Sequence, residues 1–487
     1  MAGIAGMFGT GSDRDKVVGM LDVIRHRGPD MSNLRNDEGF AMGVCAGGLS
    51  PARGDGFACR DSVTVVIDGE IYNDRCADQS DADVALDLFL KHGRAFPGYL
   101  EGVFACVVYD GNDMIFARDS VGVRPLYVGH MDDGTTCFAS ELKSLSGMVE
   151  DVWEMYPATT YSCLHGAGGY APRPADISIP DSAGDAAALL RKCMLASVKR
   201  RLDDGAVGAC LLSGGLDSSI IAAAVKYLGV DMPVVTVGIE GAEDIENAEI
   251  MARHLDMKHE VHIFDAGEIE KIVPEAVRTL ESFDEDCVSG AISNLFASRL
   301  ASRFTNCILS GEGGDELFGG YHLLKDLPTD LDRHLMMHKL VAIAYNTAVQ
   351  RLDRSMMGNS INYRTPFIDP DVVAFSANIP VQWKIHPVPE GRMIEKWILR
   401  EAFKDLLPDV IYKRVKLRFA AGTGTDSLMD EIAKTKLDES EFNEQSRNTG
   451  AGYRLNSPKE MWYYKLFKEN FPGDAFEKMV GRWDPNK

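Results

Sequence analysis

The chain of 487 residues is long enough for two large domains or three ordinary ones. Its 51 Lys and Arg against 73 Asp and Glu leave a formal net charge of −22, which disfavours a nucleic-acid partner, because each phosphate contact needs an uncancelled cation. A hydrophobic content of 45% and a charged content of 25% exclude general disorder, and no apolar run approaches the ~18 residues of a membrane span.

The first residues, Met1 to Gly9, carry no basic stretch and are broken by glycine, so they do not read as a signal peptide. Ten cysteines stand singly between Cys45 and Cys307 with no C-x-x-C pair, which points away from structural zinc and disulfides and towards a reducing cytoplasm. Helical spacing predicts helices at 13–23 and 83–92. Between them a β-type run at 62–67 ends at Asp68-Gly69, and a second at 103–109 ends at Asp110-Gly111 before 114–117. Asp-Gly between β-rich runs is a strong hairpin signal, so both dipeptides read as turns. Antiparallel strands with two helices predict a layered α+β sandwich over 1–165.

A Gly/Pro-rich stretch from Gly166 to Pro174 then reads as a linker, placed at 166–184. The period changes in 185–487. An amphipathic helix is expected at 185–202, a buried strand at 208–212, a helix at 218–227 and a strand at 234–237. Strand–helix–strand joined by a tight glycine turn predicts a parallel α/β sheet, followed beyond Gly320 by a mostly helical region.

Ser213-Gly214-Gly215-Leu216-Asp217-Ser218-Ser219 joins that first strand to its helix. Paired glycines allow successive N–H groups to face one point, the helix N-terminus adds positive potential, and three hydroxyls donate: an anion nest suited to pyrophosphate. Asp217 repels phosphate and reads as a Mg²⁺ ligand. A Gly-Gly turn with Asp and Ser as helix caps is the plainer alternative. The loop is no Walker A, since its lysine is absent. A second motif, Ser310-Gly311-Glu312-Gly313-Gly314-Asp315-Glu316, follows the strand end Ile308-Leu309 and offers Asp315 as a second metal ligand. Glu312 could instead serve a helix dipole. The cations around Lys416 in Lys413-Arg414-Val415-Lys416-Leu417-Arg418-Phe419 suit phosphate neutralisation or a solvated face.

S-G-G-x-D-S resembles the pyrophosphate loop of ATP pyrophosphatases, and the chain resembles asparagine synthetases almost end to end. Arg25-His26-Arg27-Gly28-Pro29-Asp30, Gly69-Glu70-Ile71-Tyr72-Asn73, Ser140-Glu141-Leu142-Lys143 and the tail from Ser457-Pro458 to Phe471-Pro472 carry the rest of the likeness. It implies an Ntn-type αββα glutaminase-like domain followed by an ATP-pyrophosphatase domain with a helical C-terminal part. It also implies ATP and Mg²⁺ as cofactors, Leu211 and Val237 at the adenine, and Ser310 and Gly311 near ribose and phosphates. Glu312 and Lys416 are implied as catalytic, Ser213 to Ser219 as phosphate-binding, and Asp217 and Asp315 as metal-holding. Aspartate would be adenylated with release of AMP and pyrophosphate and then amidated, and a homodimer is common in the family.

Three positions of the first domain depart from the family. Ala2 stands where an N-terminal cysteine attacks glutamine. Gly48, just before Leu49-Ser50, replaces the arginine that grips the glutamine carboxylate. Asp68 replaces an asparagine at the oxyanion, where its charge opposes the chemistry. Asp81, matching the residue that holds the glutamine amine, remains. The first domain therefore reads as a degenerate scaffold, the nitrogen donor as ammonia. β-Lactam synthetases share such a domain but carry tyrosine at the position of Glu312. Asn362 stands where both groups have glutamate, beside the acceptor, which keeps a β-lactam-synthetase-like or other amide ligase as the alternative.

Overall fold

The computed structural model describes residues 2–48, 53–76, 78–172, 177–389, 392–437, 439–444 and 447–482. The first half contains two six-stranded sheets. One is built from β1 (Ala2–Phe8), β2 (Met31–Asp37), β3 (Phe40–Ala46), β8 (Tyr127–His130), β9 (Thr136–Ala139) and β10 (Asp151–Glu154), in the order β10-β8-β9-β1-β3-β2. The other joins β4 (Phe57–Arg60), β5 (Val63–Ile71), β6 (Gly102–Tyr109), β7 (Met114–Arg118), β11 (Thr159–Ser162) and β12 (Gly166–Gly169), in the order β12-β11-β7-β6-β5-β4.

Alternation along each strand decides the layering, because successive side chains point to opposite faces. Ile4, Met42 and Val44 meet Val66, Val107 and Phe116 of the other sheet in one apolar layer. The opposite faces receive the helices. Val17, Met20 and Leu21 of α1 (Arg14–Val23) pack with Met7 and Ala41, while Ala85, Leu86 and Phe89 of α2 (Asp81–His92) pack with Val65 and Ile67. The result is an αββα sandwich. Asp13 and Ser80 cap the two helices through their side chains.

Two expectations change here. Asp110-Gly111 does turn β6 into β7, but Asp68-Gly69 is no turn. β5 runs straight through it, with Asp68 opposite Ala105 and Gly69 opposite Phe104. Glycine is required there by close approach, since a Cβ would lie 2.2 Å from the Val103 carbonyl oxygen. Gly166–Gly169, expected to open the linker, pairs with β11 as an edge strand instead. Tyr170 then anchors the exit by donating to the Arg118 carbonyl at 2.7 Å; Arg173 and Pro174 lie outside the described residues.

The second half is built on a five-stranded parallel sheet of β13 (Ala209–Leu211), β14 (Val234–Gly238), β15 (His259–Ile263), β16 (Cys307–Leu309) and β17 (Asn362–Arg364), in the order β15-β14-β13-β16-β17. It is covered by helices that include α3 (Ala183–Leu202), α4 (Leu216–Tyr227), α5 (Glu243–His254), α6 (Ala266–Leu280) and α7 (Glu285–Ala301). The strand order reverses between β13 and β16, so the loops after these two strands lie side by side, the place where open α/β sheets bind ligands. β17 falls within the region read as helical. The tail helix Pro458–Asn470 forms as expected, capped by Ser457. Among the described residues no helix is long and apolar enough to cross a membrane.

Candidate active site

The loop after β13 is stitched to itself. Ser213 N donates to Ser218 Oγ at 3.1 Å, Ser218 Oγ donates to the Gly215 carbonyl at 3.2 Å, and Gly215 N donates to Ser213 Oγ at 3.3 Å. Gly214 has φ +68°, and a Cβ there would sit 2.5 Å from Ala248 N on α5, so its glycine is set by packing as well as by the bend. A cavity of about 120 Å³ is lined by Leu211, Val237, Ser310 and Gly311 together with Ser213, Asp217, Ser218, Glu312, Asp315 and Lys416. Gly215 faces an adjoining cavity of about 60 Å³ that also presents Lys396, Arg400 and Arg414. Ser219, expected among the phosphate ligands, is fully buried and lines neither cavity. It faces inward because the first turn of α4 aims it at the core.

The glycines of the second motif let the carboxylates converge. A Cβ on Gly314 would lie 2.6 Å from Asp217 Cγ. Lys396 Nζ sits between the two aspartates, ion-paired with Asp217 and 2.5 Å from Asp315 Oδ1. Lys416 Nζ donates to Asp315 Oδ2 at 2.5 Å. Burial pushes the Asp315 carboxyl up, but the two lysines outweigh it and hold it well below the usual range. Asp217 has less help: burial wins and its carboxyl is raised, with Oδ1 lacking any hydrogen-bond partner. Burial likewise raises Glu312, against the pull of Arg351, whose Nη2 lies 3.4 Å from Glu312 Oε1. Burial, reinforced by Glu312 and Asp315, pushes Glu316 up to about 7.

Among the described residues no group of three or more His, Cys, Asp or Glu side chains is arranged to hold a metal. The donor chemistry nonetheless fits a hard cation: two carboxylates side by side, one buried oxygen unsatisfied, and an anion nest beside them to complete an oxygen shell.

Several residues of this centre escape sequence reasoning. Lys396 lies far from both glycine motifs and takes a left-handed backbone at φ 55°. Glu395 accepts from Lys416 N at 3.1 Å and ties down its loop. Arg414, by contrast one of the cations expected around Lys416, pairs with Asp244 at 2.6 Å. Asn294 lines the 120 Å³ cavity with an unpartnered, buried Nδ2. Arg351 lines that cavity and a neighbouring one of about 330 Å³, which also shares Glu312, Asp315, Lys416 and Phe419.

The first domain brings its expected residues to the other side of the molecule's interface. The Ala2 carbonyl accepts from Arg27 Nε at 3.2 Å. Asp68 pairs with Arg27 at 2.8 Å and accepts from Ser140 Oγ at 3.1 Å. Asp81 is taken by the chain's own cations, Arg75 at 2.5 Å and Arg53 at 3.4 Å, while burial pushes its carboxyl up to about 6. Gly48 N donates to Asp30 Oδ2 at 2.8 Å; Leu49 and Ser50 lie outside the described residues. Asn362, expected beside the acceptor, is buried between the halves, donating to Glu70 Oε1 and accepting from Arg124, both at 2.8 Å. Neither the 120 Å³ nor the 330 Å³ cavity includes it. Its place on β17, at the far edge of the sheet, aims it at the sandwich.

Comparison with known proteins agrees with this division. The asparagine synthase family model matches residues 189–343 and 325–475, and that of the glutamine amidotransferase domain matches 1–161. Asparagine synthetase [glutamine-hydrolyzing] 1 of Lotus japonicus is 31% identical, covering 97% of this chain and 86% of its own. Asparagine synthetase [glutamine-hydrolyzing] 2 of Arabidopsis thaliana is 29% identical over 99% and 89%, and the Sandersonia aurantiaca enzyme 30% over 97% and 96%. Among solved structures, glutamine phosphoribosylpyrophosphate amidotransferase from B. subtilis aligns at TM-score 0.31 and 15% identity over 53% of this chain and 65% of its own. NMN synthetase from Francisella tularensis aligns at TM-score 0.28 and 12% identity over 61% and 97%. With its αββα sandwich and parallel α/β sheet, the chain belongs to the asparagine synthase family, joined to an N-terminal glutamine amidotransferase domain.

Proposed function

We propose that the chain is an ATP-dependent carbon–nitrogen ligase that converts aspartate and ammonia to asparagine, releasing AMP and pyrophosphate. The carrying observation is the meeting of a Ser/Gly anion loop with two aspartates that share Lys396, beside a pocket reached by Glu312 and Lys416. Ser213, Gly215 and Ser218 would present N–H and O–H donors to the outer phosphates of ATP. Asp217 and Asp315 would hold Mg²⁺, which when bound supplies positive charge to the phosphate oxygens. The aspartate carboxylate attacks the α-phosphorus, and the bond to pyrophosphate breaks as Lys416 and Lys396 neutralise the departing charge. Ammonia then attacks the activated carbonyl, Glu312 takes the proton shed by nitrogen, and AMP leaves.

The relatives' names specify glutamine hydrolysis, but this chain's first domain supports ammonia as donor. Ala2 offers no nucleophile, Asp68 is anionic where negative charge would develop, and Asp81 already holds two arginines. Pyrophosphate release measured with ammonium or glutamine tests this: ammonium should drive turnover and glutamine should leave it at background. Sustained glutamine-dependent turnover contradicts the donor assignment. A second reading, a bulkier acid or another amine, is favoured by the 330 Å³ pocket with Leu323, Ala348 and Ala420 on its wall, and pyrophosphate release across a panel of amino acids separates it from the first.

A further inference from the structure

The helix Ala348–Met357 has two jobs on consecutive residues. Arg351 and Leu352 line the 120 Å³ cavity. Asp353 and Arg354, fully buried, point the other way into the first domain. Asp353 receives Arg27 Nη1 at 2.7 Å and Nη2 at 3.1 Å, Arg124 at 3.3 Å, Arg354 Nη1 at 2.8 Å and Tyr363 OH at 3.1 Å. Arg354 Nε reaches Glu281 Oε2 at 3.0 Å, and the same carboxylate accepts Leu142 N at 3.0 Å and Lys143 N at 2.6 Å. Arg354 Nη2 also reaches Tyr127 OH at 3.3 Å. Ser360, just beyond the helix, donates to the His26 carbonyl at 2.7 Å. The first domain thus grips one side of a helix whose other side meets Glu312.

We infer that Arg27 and Asp353 are positioning residues for the ligase chemistry: the sandwich without a nucleophile sets the register of the helix Ala348–Met357 so that Arg351 stands against Glu312. Displacing one partner of such a buried ion pair leaves the others as uncompensated buried charges, which is strongly unfavourable, so the members hold one another in place. Among the described residues Arg351 forms an ion pair with Glu312 alone, long at 3.4 Å, and its Nε is buried without a hydrogen bond. The helix register therefore sets that separation together with α7, where a Cβ on Gly290 would lie 2.7 Å from Arg351 Cδ. Glu312 faces Arg351 and Lys416 as favourable charges and Asp217, Asp315 and Glu316 as opposing ones. A retreat of Arg351 removes the strongest favourable charge, so the Glu312 carboxyl should rise further.

This inference rests on the proposed adenylation chemistry, and pyrophosphate release by the unaltered enzyme tests that reading separately. The inference is tested by a double-mutant cycle of Asp353→Asn with Arg351→Met, with Arg27→Lys in place of Asp353→Asn as the gentler variant that keeps the buried charge. Asp353→Asn should lower kcat about 10-fold, the scale of a catalytic group misplaced by under 1 Å. KM for ATP should stay within about twofold, since uniform binding is untouched. The acid limb of the rate–pH profile should move to higher pH, and Arg27→Lys should restore most of the rate. In the Arg351→Met background Asp353→Asn should add nothing further. Additive losses in the cycle, or a lower rate with an unmoved acid limb, would overturn the inference.

Discussion

The two halves of the chain differ in where their buried charges lie relative to the cavities. In the sandwich, Asp68 pairs with Arg27, Asp81 with Arg53 and Arg75, and Glu70 with Arg364; Asp68 Oδ1 keeps no hydrogen-bond partner, but neither the 120 Å³ nor the 330 Å³ cavity reaches these carboxylates. At the parallel sheet, the charges line open cavities and leave Asp217 Oδ1, Asn294 Nδ2 and Arg351 Nε without partners. A buried polar group left unmade costs about 1–3 kcal/mol, so a fold retains several in one cleft where a ligand satisfies them. The sandwich carboxylates sit away from these cavities; those of the sheet line them.

The largest effect should come from the open site. Asp217→Asn, which removes the unsatisfied carboxylate, should cut pyrophosphate formation by about 1,000-fold or more, and a loss under tenfold would break the contrast. Lys416→Met should lower turnover about 100-fold while leaving ATP affinity, by calorimetry, within about threefold; equal losses in both would make Lys416 a binding residue only.

The closed network should answer in stability as well as in rate. Asp353, buried but surrounded by Arg27, Arg354 and Arg124, has its carboxyl lowered from 3.8 to about 2. Its folded value lies below its unfolded one, so the stabilisation is complete above pH 3.8 and is lost as pH falls through about 2. About 2 kcal/mol is then at stake. Thermal unfolding between pH 5 and pH 2 should show this loss in the native chain and a flatter profile in Asp353→Asn; identical slopes would contradict it. The smallest expected effect is a null one. Ala2→Cys should leave glutaminase activity at background, because Asp68 and the arginine-held Asp81 remain. Recovered glutamine hydrolysis would show that the closed region is one residue from working.

How much of this was legible in the sequence follows from chemistry. The Ser213–Ser219 loop and the 310–316 motif were legible because an anion nest needs adjacent glycines and hydroxyls, so its signal is contiguous. Lys396, Glu395, Arg351 and Asn294 were not, because each reaches the site alone from a separate element and no short pattern marks it. Asp68-Gly69 misled because a turn and a crowded strand position ask for the same glycine, and only the Val103 carbonyl 2.2 Å from its missing Cβ distinguishes them. The burial of Ser219 is not visible from counting hydroxyls, because it follows from the rotation of the first turn of α4. Asn362 was legible as a departure but not as an interface residue, since β17 gave no strand signal of its own.

The most direct test is product analysis after incubating the protein with ATP, Mg²⁺, aspartate and ammonium. The account predicts AMP and pyrophosphate in equal amounts with asparagine. ADP and orthophosphate would contradict it, because they require attack at the γ-phosphorus rather than at the one next to the adenosine.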